Sequence, residues 1–224
     1  MQKSILEPVF KEFFSFWDKI PSADQDYIIR HSSAVTYPQG THLHNGEECS
    51  GVILVKSGCI RIYMLSDSGR DITLYRLYPG DICMLTASCV LQAVTFEVLA
   101  DAQEDSQCYV ISGPAFAQIS ERSPYIKIFA LETAVRRFSD VMWVMQQILF
   151  MSMDKRLAIF LSGETARTGQ DIIQLTHEQI ARYMGSAREV VSRMLKYFSS
   201  EGIVQVSRGG IKILDKNRLN ALAN

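Results

Sequence analysis

Apolar residues change their spacing three times along this chain, and each change marks a new kind of element. Over residues 1 to 31, Val9, Phe10, Phe13, Phe14 and Trp17 recur as one helical stripe, which Pro21 breaks. Ser22 with Gln25 three residues on then offers a second helix start. From Ala34 to Ile111 the texture turns to short β-branched runs punctuated by Gly40, Gly46, Gly51, Gly58, Gly69 and Gly80, the last three spaced by eleven residues. Turn signals every ~8–12 residues predict an all-β unit, here an antiparallel β-roll. Its clearest strands are Val52 to Val55, Cys59 to Leu65 and Ile72 to Leu77, turned by Lys56-Ser57-Gly58 and Ser66-Asp67-Ser68-Gly69. Pro114 to Ile119 reads as a short helix, and Ser123-Pro124 opens a long one. In the latter, Leu131, Val135, Phe138, Met142, Met145 and Leu149 alternate four and three residues apart, an apolar seam of nearly three heptads. A helix of ~27 residues, some 40 Å at 1.5 Å per residue, outruns a small β-roll. The excess seam therefore predicts burial against a second copy of the chain.

After about Met151 the helical period continues in shorter pieces. Asp154 is placed to cap a helix over Lys155 to Leu161, Ser162-Gly163 to close it, and the polar residues 163 to 171 to form a surface loop. Thr176 with Gln179 makes a capping box for a helix carrying Ile180, Ala181 and Met184 inward, and Gly185 stops it. Ser186 with Glu189 reads as a second box, followed by Val190, Val191, Met194, Leu195 and Phe198 at helical spacing up to Gly202. Two capped helices joined at one glycine predict a helix-turn-helix. Ile203, Val204 and Val206, the turn Ser207-Arg208-Gly209-Gly210, and Ile211 with Ile213 predict a two-stranded wing after it.

Composition sharpens this division. The chain has 224 residues, 47% of them hydrophobic, enough for two modest domains. Its formal charge is −1, but residues 152 to 224 are net +4 and residues 1 to 151 net −5. One basic end is the asymmetry expected when that end alone meets a polyanion. The five cysteines, Cys49, Cys59, Cys83, Cys89 and Cys108, are odd in number and lack a C-x-x-C pair. With no secretory leader, they argue against a disulfide framework and for a cytoplasmic protein. The most apolar stretch, Val141 to Met153, is interrupted by Gln146 and Gln147 and falls short of the ~20 residues a membrane span needs.

The basic end carries the most specific chemistry. On the second helix Arg188, Glu189, Ser192 and Arg193 gather on one face. An arginine can grip guanine O6 and N7 with two parallel bonds, a glutamate can accept from cytosine N4, and a serine can serve a base or a phosphate. Thr176, Lys196, Arg208 and Lys212 are placed for the phosphate backbone. Against this, Glu189 could merely cap its helix and Arg193 merely pair with Glu189 one turn back. The ordered set of capped helix, glycine turn, capped helix and basic hairpin outweighs that plainer account. Elsewhere, Thr41-His42-Leu43-His44 puts two histidines two apart on a strand, hence on one face, with Glu47 and Glu48 close behind, a partial metal corner of the cupin kind without the second motif's histidine. Cys83, Cys89 and Cys108 are candidate sensors, set against the plainer role of buried small hydrophobes. G-x-S-x-G, P-loop and G-x-G-x-x-G motifs are missing, so the chain reads as a non-enzyme.

GSAREVVSRMLKYFSSEGIV is similar to the recognition region of the bacterial CRP/FNR family, comprising the cyclic-AMP receptor protein and the fumarate and nitrate reduction regulator. Arg188, Glu189 and Arg193 resemble the first member's reading triad, and Glu189, Ser192 and Arg193 the second's. HNGE around Asn45, the Lys-Ser-Gly turn and PGD at Pro79 to Asp81 resemble the family's sensory domain. The resemblance implies an α+β architecture: an N-terminal double-stranded β-helix (β-roll, cupin-like) sensor over 1–121, a long dimerisation helix over 122–151, and a C-terminal winged helix-turn-helix over 152–224. It implies a homodimer reading double-stranded DNA at an inverted repeat under control of a small-molecule effector, with RNA polymerase as protein partner and no membrane. Family members that bind cyclic nucleotides hold the phosphate with Gly-Glu-Leu followed by Arg and Ser or Thr. Here Cys83-Met84-Leu85 and Val94-Thr95-Phe96 fill those places, and no basic residue lies between Arg76 and Arg122. The effector is therefore expected not to be cyclic AMP, with a hydrophobic molecule, haem, a metal or thiol oxidation as the remaining classes. The fumarate and nitrate regulator's N-terminal cysteine cluster is missing. A cupin-like metalloprotein, or a ligand-binding protein that never touches DNA, is the alternative.

Overall fold

The computed structural model describes residues 2–44, 51–67, 69, 71–84 and 98–224. Expectations resting on Asn45 to Glu48, Cys49, Ser68, and residues 85–97 with Cys89 and Val94-Thr95-Phe96 fall outside them. The chain divides into two compact units, Met1–Asp67 with Leu74–Val141, and Ser68–Thr73 with Met142–Asn224.

In the first unit the aromatic stripe is buried as expected, but its helix ends at Phe13 instead of running on toward Pro21. Helix α1 (Gln2–Phe13), a single 3-10 turn at Trp17–Lys19 and α2 (Ser22–Arg30) bury Phe10, Phe14, Phe16 and Trp17 in one cluster. Phe14 and Phe16 stack at 4.9 Å, and each of these aromatic side chains contributes ~1.5–3 kcal/mol by leaving water. The Ser22–Gln25 box does not form: Pro21 is the N-cap and no side chain caps it. Gln25 instead donates to the Trp17 carbonyl at 2.7 Å, so tertiary contact outbids the local cap.

Among the described residues, eight strands make two four-stranded sheets: β1 (Ser32–Tyr37), β2 (His42–His44), β3 (Val52–Ser57), β4 (Ile60–Leu65), β5 (Asp71–Leu77), β6 (Ile82–Cys83), β7 (Leu99–Ala102) and β8 (Ser106–Ile111). Their orders are β1-β8-β3-β6 and β2-β7-β4-β5, the double-stranded roll. The unbroken apolar run of β3 is explained by burial on both faces: Val52 and Leu54 join the aromatic cluster, while Ile53 and Val55 join Ile60, Ile62, Leu77, Cys83, Ala100 and Cys108 inside the roll. Gly58 has φ +86°, and a Cβ there would lie 2.6 Å from the Asp105 carbonyl oxygen, so the Lys-Ser-Gly turn requires glycine.

Helix α3 (Gly113–Arg122) leads into α4 (Pro124–Phe150), 27 residues long. The inner face of α4 buries Ile126, Ala130 and Thr133. Next on that face, Arg137 bonds Asp81 and Asp140, each at 3.0 Å, and the Ile82 carbonyl at 3.3 Å. Burial opposes the Arg137 charge, but the two carboxylates more than offset it and hold the guanidinium pKa above its usual value. The seam residues lie on the opposite face, with Val135 64%, Phe138 65% and Leu149 63% exposed.

The second unit contains α5 (Met153–Thr168), β9 (Ile172–Ile173), α6 (His177–Met184), α7 (Arg188–Ser200), β10 (Val204–Ser207), β11 (Gly210–Ile213) and α8 (Lys216–Ala223). Three boundaries differ from expectation. Ser152, not Asp154, is the N-cap of α5, and Asp154 sits in its first turn with its carboxyl held below the usual value, chiefly by a bond from Ser152. Helix α5 runs seven residues beyond Leu161 because Glu164 is buried against Arg167 at 2.7 Å, and Gly163 faces open space. Its stop is Gly169, at φ +67°. Residues 163–168, expected in a loop, thus belong to α5, and just past that span β9 pairs with β11 and makes the wing sheet three-stranded where two strands were expected. The closing helix α8, capped by Asp215 accepting from the Arg218 N–H at 2.9 Å, was not anticipated.

Candidate nucleic-acid interface

The helix pair α6 and α7 is assembled on a dry platform. Leu157 and Leu161 of α5, Ile180, Ala181 and Met184 of α6, and Val191, Leu195 and Phe198 of α7 bury one common core with the wing residues Ile203, Val204, Ile211 and Ile213. The Thr176 box forms in full: its hydroxyl accepts from the Gln179 N–H at 3.1 Å while Gln179 accepts from the Thr176 N–H at 2.8 Å. Gly185, at φ +60°, ends α6 with the Ser186 N–H returning to the Ala181 carbonyl at 2.9 Å. Arg156 from α5 donates to the Met184 carbonyl, tying the turn to the platform.

The expected Ser186–Glu189 box is absent. Ala187 is the N-cap of α7 without a side-chain bond, and the Ser186 hydroxyl points to the Met153 sulfur at 3.7 Å. Glu189 is therefore not engaged in a cap. Arg188, Glu189, Arg193 and Lys196 are all exposed, and among the described residues none ion-pairs or hydrogen-bonds with their side chains. The plainer account of Arg193, a pair with Glu189, is therefore not realised. Ser192 is half-buried on the same face and meets His177, Nδ1 to Oγ 2.8 Å. That bond was invisible in sequence because fifteen residues separate the partners.

On the wing, Arg208 and Lys212 are exposed and likewise unpaired among the described residues. The tight tip needs Gly210, whose φ is +127° and whose Cβ would stand 2.5 Å from the Ile173 carbonyl oxygen. Between the wing and the start of α6 lies an open cleft of about 390 Å³ lined by Thr176, His177, Ser207 and Arg208 among others. All four expected backbone-contacting residues, Thr176, Lys196, Arg208 and Lys212, are thus solvent-facing on this unit.

Comparison with known proteins agrees with this geometry. Residues 155–222 match the Crp-like helix-turn-helix domain and residues 34–123 the cyclic nucleotide-binding domain. A crystal structure from Eubacterium rectale assigned to the CRP/FNR regulators is 43% identical, covers 94% of this chain and 98% of its own, and superposes with a TM-score of 0.89. The chain belongs to the CRP/FNR family. It is a DNA-binding transcription regulator of that family. The transcriptional activator protein Anr of Pseudomonas aeruginosa is 26% identical over 80% of this chain and 75% of its own. The cyclic AMP receptor protein of Thermus thermophilus is 24% identical over 88% and 91%.

In this CRP/FNR regulator the first unit holds the other candidates apart. His42 and His44 do not share a face: a bulge in the pairing of β2 with β7 sets His42 opposite Asp101 and His44 opposite Ala100. His42 is exposed and bonded to Asp101 at 2.7 Å, whereas His44 is buried, which lowers its pKa. Among the described residues no cluster of three or more His, Cys, Asp or Glu could hold a metal ion. Cys83 and Cys108 are buried within the roll, and burial pushes the Cys108 thiol up to about 11. Arg61 was not singled out by sequence, yet it is 1% exposed, stacked on Tyr63 at 4.3 Å. It lies on the face of β4 opposite Ile60 and Ile62, away from the roll interior. Among the described residues no helix is long and apolar enough to cross a membrane.

Proposed function

We propose that the regulator works as a homodimer, docks α7 of each copy in the major groove of an inverted-repeat operator, and answers to a signal other than a cyclic nucleotide. The observation that carries the reading is the exposed set Arg188, Glu189 and Arg193, unpaired among the described residues, with half-buried Ser192 among them, on a helix anchored by a buried opposite face. Exposed charged side chains on one helix face are available to base edges, and a two-fold dimer sets them about one helical turn of DNA apart. Thr176, Lys196, Arg208 and Lys212 hold the phosphates. Lys196→Ala should weaken all duplexes alike and reduce the slope of log affinity against log salt by about 1, read by fluorescence anisotropy across a salt series. A selective loss on one sequence would move Lys196 to the base-reading set.

For the effector, the roll interior supports an apolar molecule. Ile53, Val55, Ile60, Ile62, Leu77, Ala100 and the thiols of Cys83 and Cys108 line its core, and no basic residue lies between Arg76 and Arg122 in the chain. A phosphate buried there would be desolvated, a cost of several kcal/mol that no basic residue of the segment between Arg76 and Arg122 offsets. Isothermal calorimetry should therefore detect no saturable micromolar binding of cyclic AMP. Such binding, together with tightened DNA affinity, would overturn this part of the proposal. The raised Cys108 pKa disfavours its thiolate at neutral pH and so weighs against oxidation of this thiol as the signal.

A further inference from the structure

The bond between His177 and Ser192 joins the first residue of α6 to the middle of the reading face of α7. A serine inside a helix commonly turns its hydroxyl back to the carbonyl four residues earlier, as Ser139 does to Val135 at 3.2 Å. Ser192 does not do this. Its hydroxyl is held by His177 Nδ1 at 2.8 Å, and the half-burial of both groups keeps the bond from open solvent. The Thr176–Gln179 box locks the backbone turn from which the imidazole projects. Ser192 stands three residues after Glu189 and one before Arg193, so the rotamer of its hydroxyl decides which base edge meets that part of the helix.

We propose that His177 is a positioning residue of DNA reading: it holds the Ser192 hydroxyl in its reading rotamer and fixes which hydrogen-bonding role that hydroxyl presents to the groove. A hydroxyl offers one hydrogen and two lone pairs. If Nδ1 accepts the Ser192 hydrogen, only lone pairs remain, and these suit the amino groups of adenine or cytosine; if Nδ1–H donates, the Ser192 hydrogen is released toward guanine N7 or O6, adenine N7, thymine O4 or a phosphate. His177 thus acts on sequence choice without touching the base. This rests on the proposed assignment of α7 as the reading helix.

The test uses the full-length protein and the duplex enriched by the wild type from a random-sequence library, with single base-pair variants of that duplex. His177→Phe keeps a ring but loses the bond. It should cut discrimination at one base-pair position per half-site by about 3- to 10-fold, the range for a single hydrogen bond, while leaving affinity for unrelated duplex unchanged. His177→Asn puts a polar atom at the same distance from Cβ as Nδ1 and should restore most of the discrimination. In a Ser192→Ala background, His177→Phe should have no further effect, since the two act as one unit. Full selectivity in His177→Phe, an equal loss in the Ser192→Ala background, or an even loss at every position would overturn the proposal. Should the phenylalanine variant fail to fold, failure of His177→Asn to discriminate where the wild type does would overturn it as well. Arg193→Ala separates the two levels: if that variant loses selectivity and His177→Phe does not, only the positioning role falls, and if neither loses any, the reading helix falls with it.

Discussion

Arg193→Ala and Glu189→Ala are each expected to remove about 1–3 kcal/mol of discrimination between the operator and single base-pair variants, equivalent to roughly 5- to 150-fold in relative affinity. The magnitude follows from what the side chains do in the free protein. Neither is spent on a cap or an ion pair among the described residues, so truncation removes no internal contact and leaves the fold intact. The opposite face of α7, with Val191, Leu195 and Phe198 buried, is untouched. Competition binding on a panel of operator variants measures the effect. Unchanged selectivity in both variants would show that α7 is not the reader.

Glutamate at both Phe138 and Met142 is expected to convert the protein to monomers and to abolish most specific binding. Phe138 is 65% and Met142 44% exposed within one chain, so the substitutions cost the protomer little. At a two-fold interface the same positions would bury four unpaired carboxylates, each at several kcal/mol. The inner face of α4, with Ile126, Ala130, Thr133 and the Arg137–Asp81 pair, points the other way and should hold the helix in place. Losing the link between two half-site contacts forfeits the ~10²–10⁴ gained from effective concentration. Sedimentation velocity and operator binding read both consequences, and an unchanged dimer would remove the seam from the interface.

The parts of the molecule that sequence made legible share a local cause. The Thr176–Gln179 box, the Gly185 stop and the Val191, Leu195 and Phe198 stripe are set by residues a few positions apart, and they form as read. The roll likewise follows its turns, with positive φ at Gly58, Gly69 and Gly80. What was misread depends on partners far away in the chain. Gly163 looks like a stop until Glu164 and Arg167 are seen to extend α5, and Ser186 looks like a cap until it meets Met153. His42 and His44 look like one face until the bulge against Asp101 and Ala100 separates them. Among the candidate site residues, the shared exposed face of Arg188, Glu189 and Arg193 was legible from helical spacing alone. The His177–Ser192 bond and the Arg137 clamp on Asp81 bridge fifteen and fifty-six residues, beyond the reach of any periodicity.

Selection of duplexes from a random library by the full-length protein, followed by the same selection with Arg193→Ala, tests the central claim most directly. The account predicts that the wild type enriches an inverted repeat whose half-sites are centred about one helical turn apart, and that the variant loses preference at the same base pair in each half-site while its affinity for unrelated DNA changes little. Enrichment of no sequence by the wild type, or an identical repeat enriched by both proteins, would contradict it.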